Sequence, residues 1–297
     1  MIRWGLCCIF KEEPITFRRT TAAFLSKKDR KDQLRYLNEL IVHNAESLLK
    51  ALCFCKDNGI GDFRINSQIL PLKTHPDQGY ELNELPDADL VYEKFRLCKE
   101  FGIENNIRMG FHPDQFTLLS SPNPGVNERS IDELTYQAEM ASMIHADVIN
   151  IHGGGAYGDK PAALKRLRSN IEKLDDAIRA RLTLENDDRV YTPKDLLPVC
   201  QDMAIPLVYD VHHHRCHSDG EGIEKTTELA LSTWNREPLF HISSPIGSWD
   251  TKNPRSHSDY IDIQDFPQCW RNLGITVEVE AKTKELAVIQ LIQLMKR

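Results

Sequence analysis

The sequence alternates eight short apolar runs with long stretches of helical periodicity, and this alternation restricts the folds that it can adopt. The runs are rich in β-branched and aromatic residues and have the lengths of buried strands. They read IRWGLCCIF, DFRINS, IRMGFH, ADVINIHGG, RLTLEND, IPLVYDVH, PLFHISS and GITVEVEA. A helix is predicted after each run, over residues 31–58, 87–102, 127–145, 160–181, 192–203, 222–235, 259–273 and 282–296. Eight consecutive strand–helix units predict a (β/α)8 barrel, the TIM-barrel form of the α/β class.

The whole chain, residues 1–297, is predicted to form one domain. A chain of this length could form two average domains, but α/β barrels reach this size as a single unit. No linker rich in Gly, Pro or Ser divides the sequence. The segment SPNPG at 121–125 follows the third strand, where a barrel-top loop is expected.

Composition is that of a globular protein with a large core. Hydrophobic residues make up 41% of the chain and charged residues 27%, which excludes disordered and collagen-like classes. No apolar run is long enough to cross a membrane, and the N-terminus lacks a signal-peptide cleavage pattern. The eight cysteines include no CxxC pair and are expected to be reduced thiols. We therefore expect a soluble cytoplasmic protein without a membrane segment.

The chain is acidic, with a formal net charge of -7 and a sequence pI near 5.9. This charge argues against a protein that coats nucleic acid with a wholly basic surface. Bound divalent ions would each cancel about two negative charges, so carboxylate ligands can make the count acidic without making the surface acidic.

Six consecutive predicted strands end in a potential metal ligand. The chemistry of such barrels lies at the carboxyl ends of the strands. Any one histidine or glutamate there is more often a hydrogen-bonded loop residue, but a buried ring of carboxylates and imidazoles requires cations to neutralise it. From strand three to strand eight these residues are His112, His152, Glu185, Asp210 followed by His213, His241, and Glu278 or Glu280.

The donor types of this ring indicate the class of metal. Imidazole with carboxylate and without thiolate suits zinc, manganese or iron(II). Shared carboxylates such as Glu185 or Asp210 can bridge ions about 3.5–4 Å apart, which is an arrangement used in phosphoryl chemistry. The sequence therefore predicts a cluster of two or three ions.

Two further features suggest contact with a nucleic acid. In HPDQF, Pro113 turns the chain off the third strand, so Gln115 and Phe116 are predicted on the barrel rim, where they could fill the space left by flipped bases. A capping loop whose phenylalanine packs on the barrel is the alternative. Lys252 and Arg255 follow the seventh strand and could contact phosphates, although charged residues are usually solvated surface.

The motifs taken together resemble those of the UV damage endonucleases, relatives of the barrel-type apurinic-site endonucleases. The resemblance covers nearly the whole chain. Each motif is weak alone, and the ordered set is specific. In order they are FRINS (63–67), HPDQF (112–116), INIHGGG (149–155), LEND (184–187), YDVHHH (209–214), HISSP (241–245), SHSDYI (256–261) and VEAK (279–282).

The resemblance implies an activity and its partners. The family cuts the phosphodiester immediately 5′ of pyrimidine dimers and 6-4 photoproducts in double-stranded DNA, and some members also act at abasic sites. The expected cofactors are two to three divalent ions, manganese first, with zinc, magnesium or cobalt as alternatives. A monomer is expected, without nucleotide cofactor or membrane, in the cytoplasm and at the nucleoid when bound to DNA.

Site residues follow from matching the family motifs position by position. Gln115 and Phe116 take the place of the lesion-probing pair. Glu185, Asp210 and Glu280 are the expected catalytic carboxylates, Glu280 being preferred to Glu278 because it fits the EAK pattern. Other substrate contacts are expected from Arg64, Asn66, Lys252 and Arg255. Metal ligands are expected at His112, His152, Glu185, Asp210, His213, His241, His257 and Glu280, with His75 as a looser candidate.

The chain departs from the family pattern at two positions. Relatives commonly carry a lysine, sometimes carboxylated, where this chain has Leu239, so occupancy of a third metal position stays open. Relatives often have a tyrosine that approaches DNA where this chain has Leu6-Cys7-Cys8.

Three alternative functions remain: an apurinic-site endonuclease, a metal-dependent sugar isomerase or epimerase, and a barrel that only binds damaged DNA. Within DVHHHRCH, His212, His214 and His217 are expected to be loop residues, with His214 or His217 as candidate phosphate contacts.

Overall fold

Residues 1–296 are described by a computed structural model, in which eight parallel strands form a closed barrel. Each strand pairs with the next, and the eighth pairs with the first, so the described sheet has no free edge. Every strand lies inside one of the predicted apolar runs. The (β/α)8 barrel is therefore confirmed. The strands are β1 (Arg3–Cys7), β2 (Asp62–Ile65), β3 (Arg108–Phe111), β4 (Val148–His152), β5 (Leu182–Glu185), β6 (Leu207–Asp210), β7 (Leu239–Ile242) and β8 (Thr276–Val279).

Helices connect most of the strands, and several begin at side-chain caps. The Asp29 carboxylate accepts the N–H of Asp32 at the start of the second helix, and Thr192 and Asp195 form a reciprocal capping box on the seventh. The helices of residues 1–296 are α1 (Ala22–Leu25), α2 (Arg30–Asp57), α3 (Ala88–Glu104), α4 (Pro124–Ile144), α5 (Lys160–Ile171), α6 (Asp176–Arg179), α7 (Pro193–Met203), α8 (Val211–Cys216), α9 (Ile223–Leu231) and α10 (Glu285–Met295). None of them combines the length and apolar character needed to cross a membrane.

Two of the predicted helices are wrong in extent or type. The segment 259–273 contains only two short 3-10 turns, Ile263–Asp265 and Gln268–Trp270. Pro267 lies between these turns and has no N–H for a helical hydrogen bond, so a continuous helix is interrupted there. The predicted helix 160–181 is divided into α5 and α6, and the second piece begins at Asp176, a residue type that favours helix starts over helix interiors.

The barrel interior contains buried acidic side chains close to the backbone of β1. A Cβ placed on Gly5 would lie 2.5 Å from Asp62 Oδ2 and 2.9 Å from Glu278 Cγ. Glycine is therefore required at this position, because a larger residue would displace both acidic side chains.

An aromatic cluster packs the outer layer of the barrel between β6, β7 and the turn at Trp270. The fully buried indole lies 5.2 Å from the ring of Phe240 and 5.9 Å from the rings of Tyr209 and Phe266, between centroids. Its Nε1 donates to Thr227 Oγ1 at 2.9 Å. Packing of this one side chain fixes the turn that replaces the predicted helix.

Trp270→Ala is expected to lower the free energy of unfolding by about 3–5 kcal/mol, because it removes a large buried ring and leaves a cavity. Urea denaturation followed by circular dichroism measures this change. Ile103→Ala, at a side chain that is half exposed, is the control and is expected to shift the midpoint little. Equal midpoints for Trp270→Ala and the parent protein would show that the indole does not hold this turn.

Candidate metal centre

Side chains from β1 and from the carboxyl ends of β3 to β8 form four groups of potential metal ligands. Within each group, one ligand atom from every residue lies within 4.8 Å of the others. Glu185 and Asp210 each belong to two groups, as expected for carboxylates that bridge neighbouring ions. The fourth group consists of Cys7, Glu278 and Glu280. We call the other three the first, second and third positions: His112, His152 and Glu185; Glu185, Asp210 and His213; Asp210, His241 and Glu280.

The strand register explains why these side chains meet. His152 is paired with Glu185 across β4 and β5, and Asp210 is paired with His241 across β6 and β7. Glu280 follows β8 directly, and its N–H donates to Ile242 O at 2.9 Å. Because all strands are parallel, their final residues lie at one end of the barrel.

Glu185 is the centre of the cluster. Its Oε2 accepts from His112 Nε2 at 2.9 Å and from Asn150 Nδ2 at 2.5 Å, and its Oε1 lies 3.2 Å from His241 Nδ1. Burial by itself raises the pKa of Glu185, but the charges of His241 and His152 and the hydrogen bond from His112 hold it well below its usual range. The carboxylate is therefore ionised, as a metal ligand must be.

Helix α8 returns a histidine to the cluster immediately after β6. The Asp210 carboxylate caps this helix by accepting the N–H of His213 at 2.7 Å. The His213 ring then lies with Nδ1 3.4 Å from both Glu185 Oε1 and Asp210 Oδ2. One helical turn thus places the aspartate and the histidine at the same position, which agrees with the D-x-x-H pattern.

The expectation that His212 and His214 are loop residues is wrong, because both are buried in α8. The His214 ring lies between Tyr209 Oη at 2.7 Å and Asp219 Oδ1 at 2.9 Å, so it has no access to a phosphate at the rim. The His212 ring lies 5.2 Å from Trp249 and 5.1 Å from His257. These histidines support the loop around the cluster.

Several buried ligand atoms of the cluster have no hydrogen-bond partner among the described residues. They include Glu185 Oε1, Asp210 Oδ2, His152 Nδ1 and His241 Nδ1. Unpartnered carboxylate and imidazole atoms in a buried site are costly unless an ion binds them. The donor set and these free atoms therefore fit divalent cations.

Two predicted ligands lie outside the three positions. His257 Nδ1 is 3.8 Å from Glu280 Oε2, at the border of the third position. His75 Nδ1 accepts the N–H groups of Asp77 and Gln78, and its ring lines a rim cavity of about 940 Å³ rather than the cluster. The ligand role of both residues stays a prediction, and the geometry is less favourable for His75.

The predicted substrate contacts lie at different depths. Phe116 is 73% exposed and lines the rim cavity, and Gln115 is exposed beside it. Lys252 is exposed in the loop after β7, and Arg255 in the same loop pairs with Asp188, Nε to Oδ2 at 3.2 Å. These placements agree with a rim that faces a large substrate.

Arg64 and Asn66 lie deeper than the rim residues. Both are 7% exposed and line a second cavity of about 410 Å³ that reaches His112 and Glu280. The Arg64 guanidinium is occupied by Glu278 and Glu280, so its substrate contact stays a prediction.

Sequence reasoning did not identify the amides that hold the ligands. Asn150 donates to Glu185, and Asn186 binds the main chain of Asp210 through both its Nδ2 and its Oδ1. Their positions in the sequence could have indicated this role, because Asn150 precedes His152 by two residues on the same strand and Asn186 follows Glu185 directly.

The chain matches known proteins over nearly its whole length. The family model described as UV-endonuclease UvdE matches residues 2–297. The UV DNA damage endonuclease of Bacillus thuringiensis subsp. konkukian (strain 97-27) is 35% identical over 293 residues, which cover 94% of this chain and 87% of the relative. The protein of the same name from Bacillus velezensis is 34% identical over 303 residues, with 96% and 90% covered.

Solved structures extend the comparison. The crystal structure of SacUVDE superimposes with a TM-score of 0.88 at 26% identity, covering all of this chain and 98% of that one. Endonuclease IV from Thermus thermophilus has a TM-score of 0.63 at 13% identity, covering 99% of this chain and 97% of that one, and so shares the fold. The resemblance found in the sequence is confirmed: the chain belongs to the UV-endonuclease UvdE family.

Proposed function

We propose that this protein hydrolyses the phosphodiester immediately 5′ of pyrimidine dimers and 6-4 photoproducts in double-stranded DNA, with divalent ions held at the three positions. The observation that carries the proposal is the sharing of Glu185 and Asp210 among adjacent groups of ligands. Membership of the UvdE family supports an endonuclease of UV-damage repair.

Each position combines imidazole nitrogen with carboxylate oxygen. This donor set suits manganese, our first candidate, and also zinc or cobalt; magnesium prefers oxygen alone. When bound, such ions activate water and neutralise the charge that develops on phosphoryl oxygens. His112 and Glu280 line the second cavity, so these ligands are accessible to a substrate from the rim.

Charge at the mouth of the second cavity suits a phosphate backbone. Arg19, Lys282 and Lys284 line it together with His257. Positive side chains at this mouth attract the scissile phosphate even though the whole chain is acidic, because the field at a cleft depends on its own lining. The overall charge of -7 is therefore compatible with DNA as substrate.

The proposal is tested by incubating metal-loaded protein with an end-labelled duplex that carries one cyclobutane pyrimidine dimer. Manganese-dependent nicking one bond 5′ of the dimer, leaving a 3′-hydroxyl, is the expected result. A matched duplex with one abasic site distinguishes the apurinic-site endonuclease, which would cut only that substrate. Failure to cut the dimer duplex by folded, manganese-loaded protein would contradict the proposal.

Gln115→Ala combined with Phe116→Ala is expected to reduce discrimination between damaged and intact duplex by about tenfold to a hundredfold. The physical reason is that stacking of an aromatic ring on bases contributes about 1–3 kcal/mol per base. The two side chains are exposed and outside the three positions, so manganese content should not change. Binding to paired duplexes by fluorescence anisotropy measures the effect, and unaltered discrimination would exclude a probing role.

A further inference from the structure

Glu278 is a buried carboxylate of the barrel that lies outside the three positions and shares a fourth group of potential ligands with Cys7 and Glu280. The Arg64 guanidinium contacts all three members of this fourth group, so its positive charge takes the place that a cation would take there. Glu278 is 3% exposed, and one of its oxygens, Oε2, lies 2.9 Å from His241 Nε2 and 2.8 Å from Arg64 Nε. Neither N–H is well aligned with the oxygen, so these are close ionic contacts rather than ideal hydrogen bonds. The two nitrogens offset the cost of burying this carboxylate, because a buried charge needs partners of this kind.

The His241 ring has different surroundings on its two nitrogens. Nδ1 faces the cluster, 3.2 Å from Glu185 Oε1 and 3.5 Å from Glu280 Oε1, whereas Nε2 faces Glu278. A metal-ligating histidine binds the ion through one nitrogen and keeps the proton on the other, where a carboxylate fixes the tautomer and the ring orientation. Glu278 is in the place that such a carboxylate would take.

Arg64 connects this carboxylate to a ligand of the third position. Its Nη2 donates to Glu280 Oε1 while its Nε contacts Glu278, so one guanidinium holds two carboxylates of the same strand end. The Arg64 side chain is 8% exposed, so it is enclosed by the protein and acts as a rigid support for its neighbours.

Few other side chains can bind an ion at the third position. Leu239 lies two residues before His241 on β7, is 1% exposed and offers no ligand atom. The ligands available there are therefore Asp210, His241 and Glu280, with His257 Nδ1 at the border, 3.8 Å from Glu280 Oε2. Precise placement of His241 and Glu280 then decides whether that position binds an ion at all.

We propose that Glu278, supported by Arg64, is a positioning residue that orients His241 and thereby sets the affinity of the third position for a divalent ion. The inference rests on the proposed function, since it concerns the ions of the same centre. In this proposal Arg64 holds two carboxylates in place and does not contact the substrate.

The test is titration of metal-free protein with Mn²⁺ alone, with free Mn²⁺ measured by electron paramagnetic resonance. Glu278→Met removes the carboxylate and its charge, and should weaken binding of one ion by about a hundredfold while leaving the others unchanged. Glu278→Gln keeps the shape and loses the charge, and should weaken the same ion by about tenfold. A general packing defect would not weaken the binding of one ion alone, nor weaken it more in Glu278→Met than in Glu278→Gln.

Asp62→Asn is the matched control, because Asp62 is a fully buried acid beside Glu278 across Gly5 and is outside the three positions. It should bind manganese as the parent protein does. Folding of each variant is checked by circular dichroism, and Glu278→Gln decides the question if Glu278→Met does not fold.

The outcomes separate the two proposals. A parent protein that binds no manganese overturns the proposed function together with this inference. A parent that binds manganese, with Glu278→Gln equal to it ion for ion, overturns only the positioning role. Equal weakening in Asp62→Asn would also overturn it, because the effect would then belong to the barrel interior in general.

Discussion

Glu185→Gln is expected to reduce the rate of nicking by at least ~1,000-fold, since loss of a bridging carboxylate removes several kcal/mol of transition-state stabilisation. Glu185 belongs to two of the three positions, so the variant should also retain fewer ions than the parent protein. The amide has nearly the same size as the carboxylate and can still accept from Asn150, so the fold should be preserved. Single-turnover cleavage and elemental analysis of the purified variant measure the two effects.

The control for this experiment lies at the opposite end of the barrel. Glu237 precedes β7 and pairs with Arg3 Nε at 2.7 Å, where it also accepts from Thr276 Oγ1. Glu237→Gln removes a partly exposed charge of the same chemical type and should cleave at the parental rate. Cleavage by Glu185→Gln at that same rate would remove Glu185 from the catalytic centre.

Removal of divalent ions by chelation is expected to abolish cleavage and to lower the melting temperature. Each ion present at about 100 times its dissociation constant contributes about 2.7 kcal/mol to folding. For a chain of this size the melting temperature should fall by about 5 °C for each ion lost. The physical source is the cluster itself, whose unpartnered atoms include Glu185 Oε1 and Asp210 Oδ2.

Differential scanning fluorimetry with and without chelator measures the shift, and back-titration with manganese, zinc, cobalt or magnesium compares the metals. Restoration of both activity and melting temperature by one metal identifies the ion that fits the three positions best. Glu185→Gln is the control for this measurement. Because it should bind fewer ions, chelation should lower its melting temperature less than that of the parent protein. Full activity in excess chelator would contradict a metal-dependent mechanism.

The histidines and carboxylates that converge at the strand ends could be predicted because their signal is local in the sequence. Strands in a (β/α)8 barrel are parallel, so the last residue of each strand can be read from the apolar run and placed at one end of the barrel. His112, His152, Glu185, Asp210 and His241 were located in this way, and the structure brings them together in the three positions.

Errors arose where long-range packing overrode local pattern. The apolar spacing of residues 259–273 suggests a helix, yet burial of Trp270 against Tyr209 and Phe240 is satisfied by a short turn after Pro267. His214 was expected in an exposed loop, but contacts with Tyr209 and Asp219 bury it. Neither contact is visible in the spacing of residues along one element.

The barrel and the residues that end its strands can be predicted from the sequence, because both depend on short-range periodicity and on the common direction of parallel strands. How those residues are paired depends on contacts between distant parts of the chain. Arg64 and Glu280 are 216 residues apart in the sequence, and the contact between them directs the positive charge of Arg64 into the protein. The sharing of Glu185 and Asp210, and the nitrogen that His241 turns toward them, likewise depend on side-chain geometry, which spacing along the sequence does not encode.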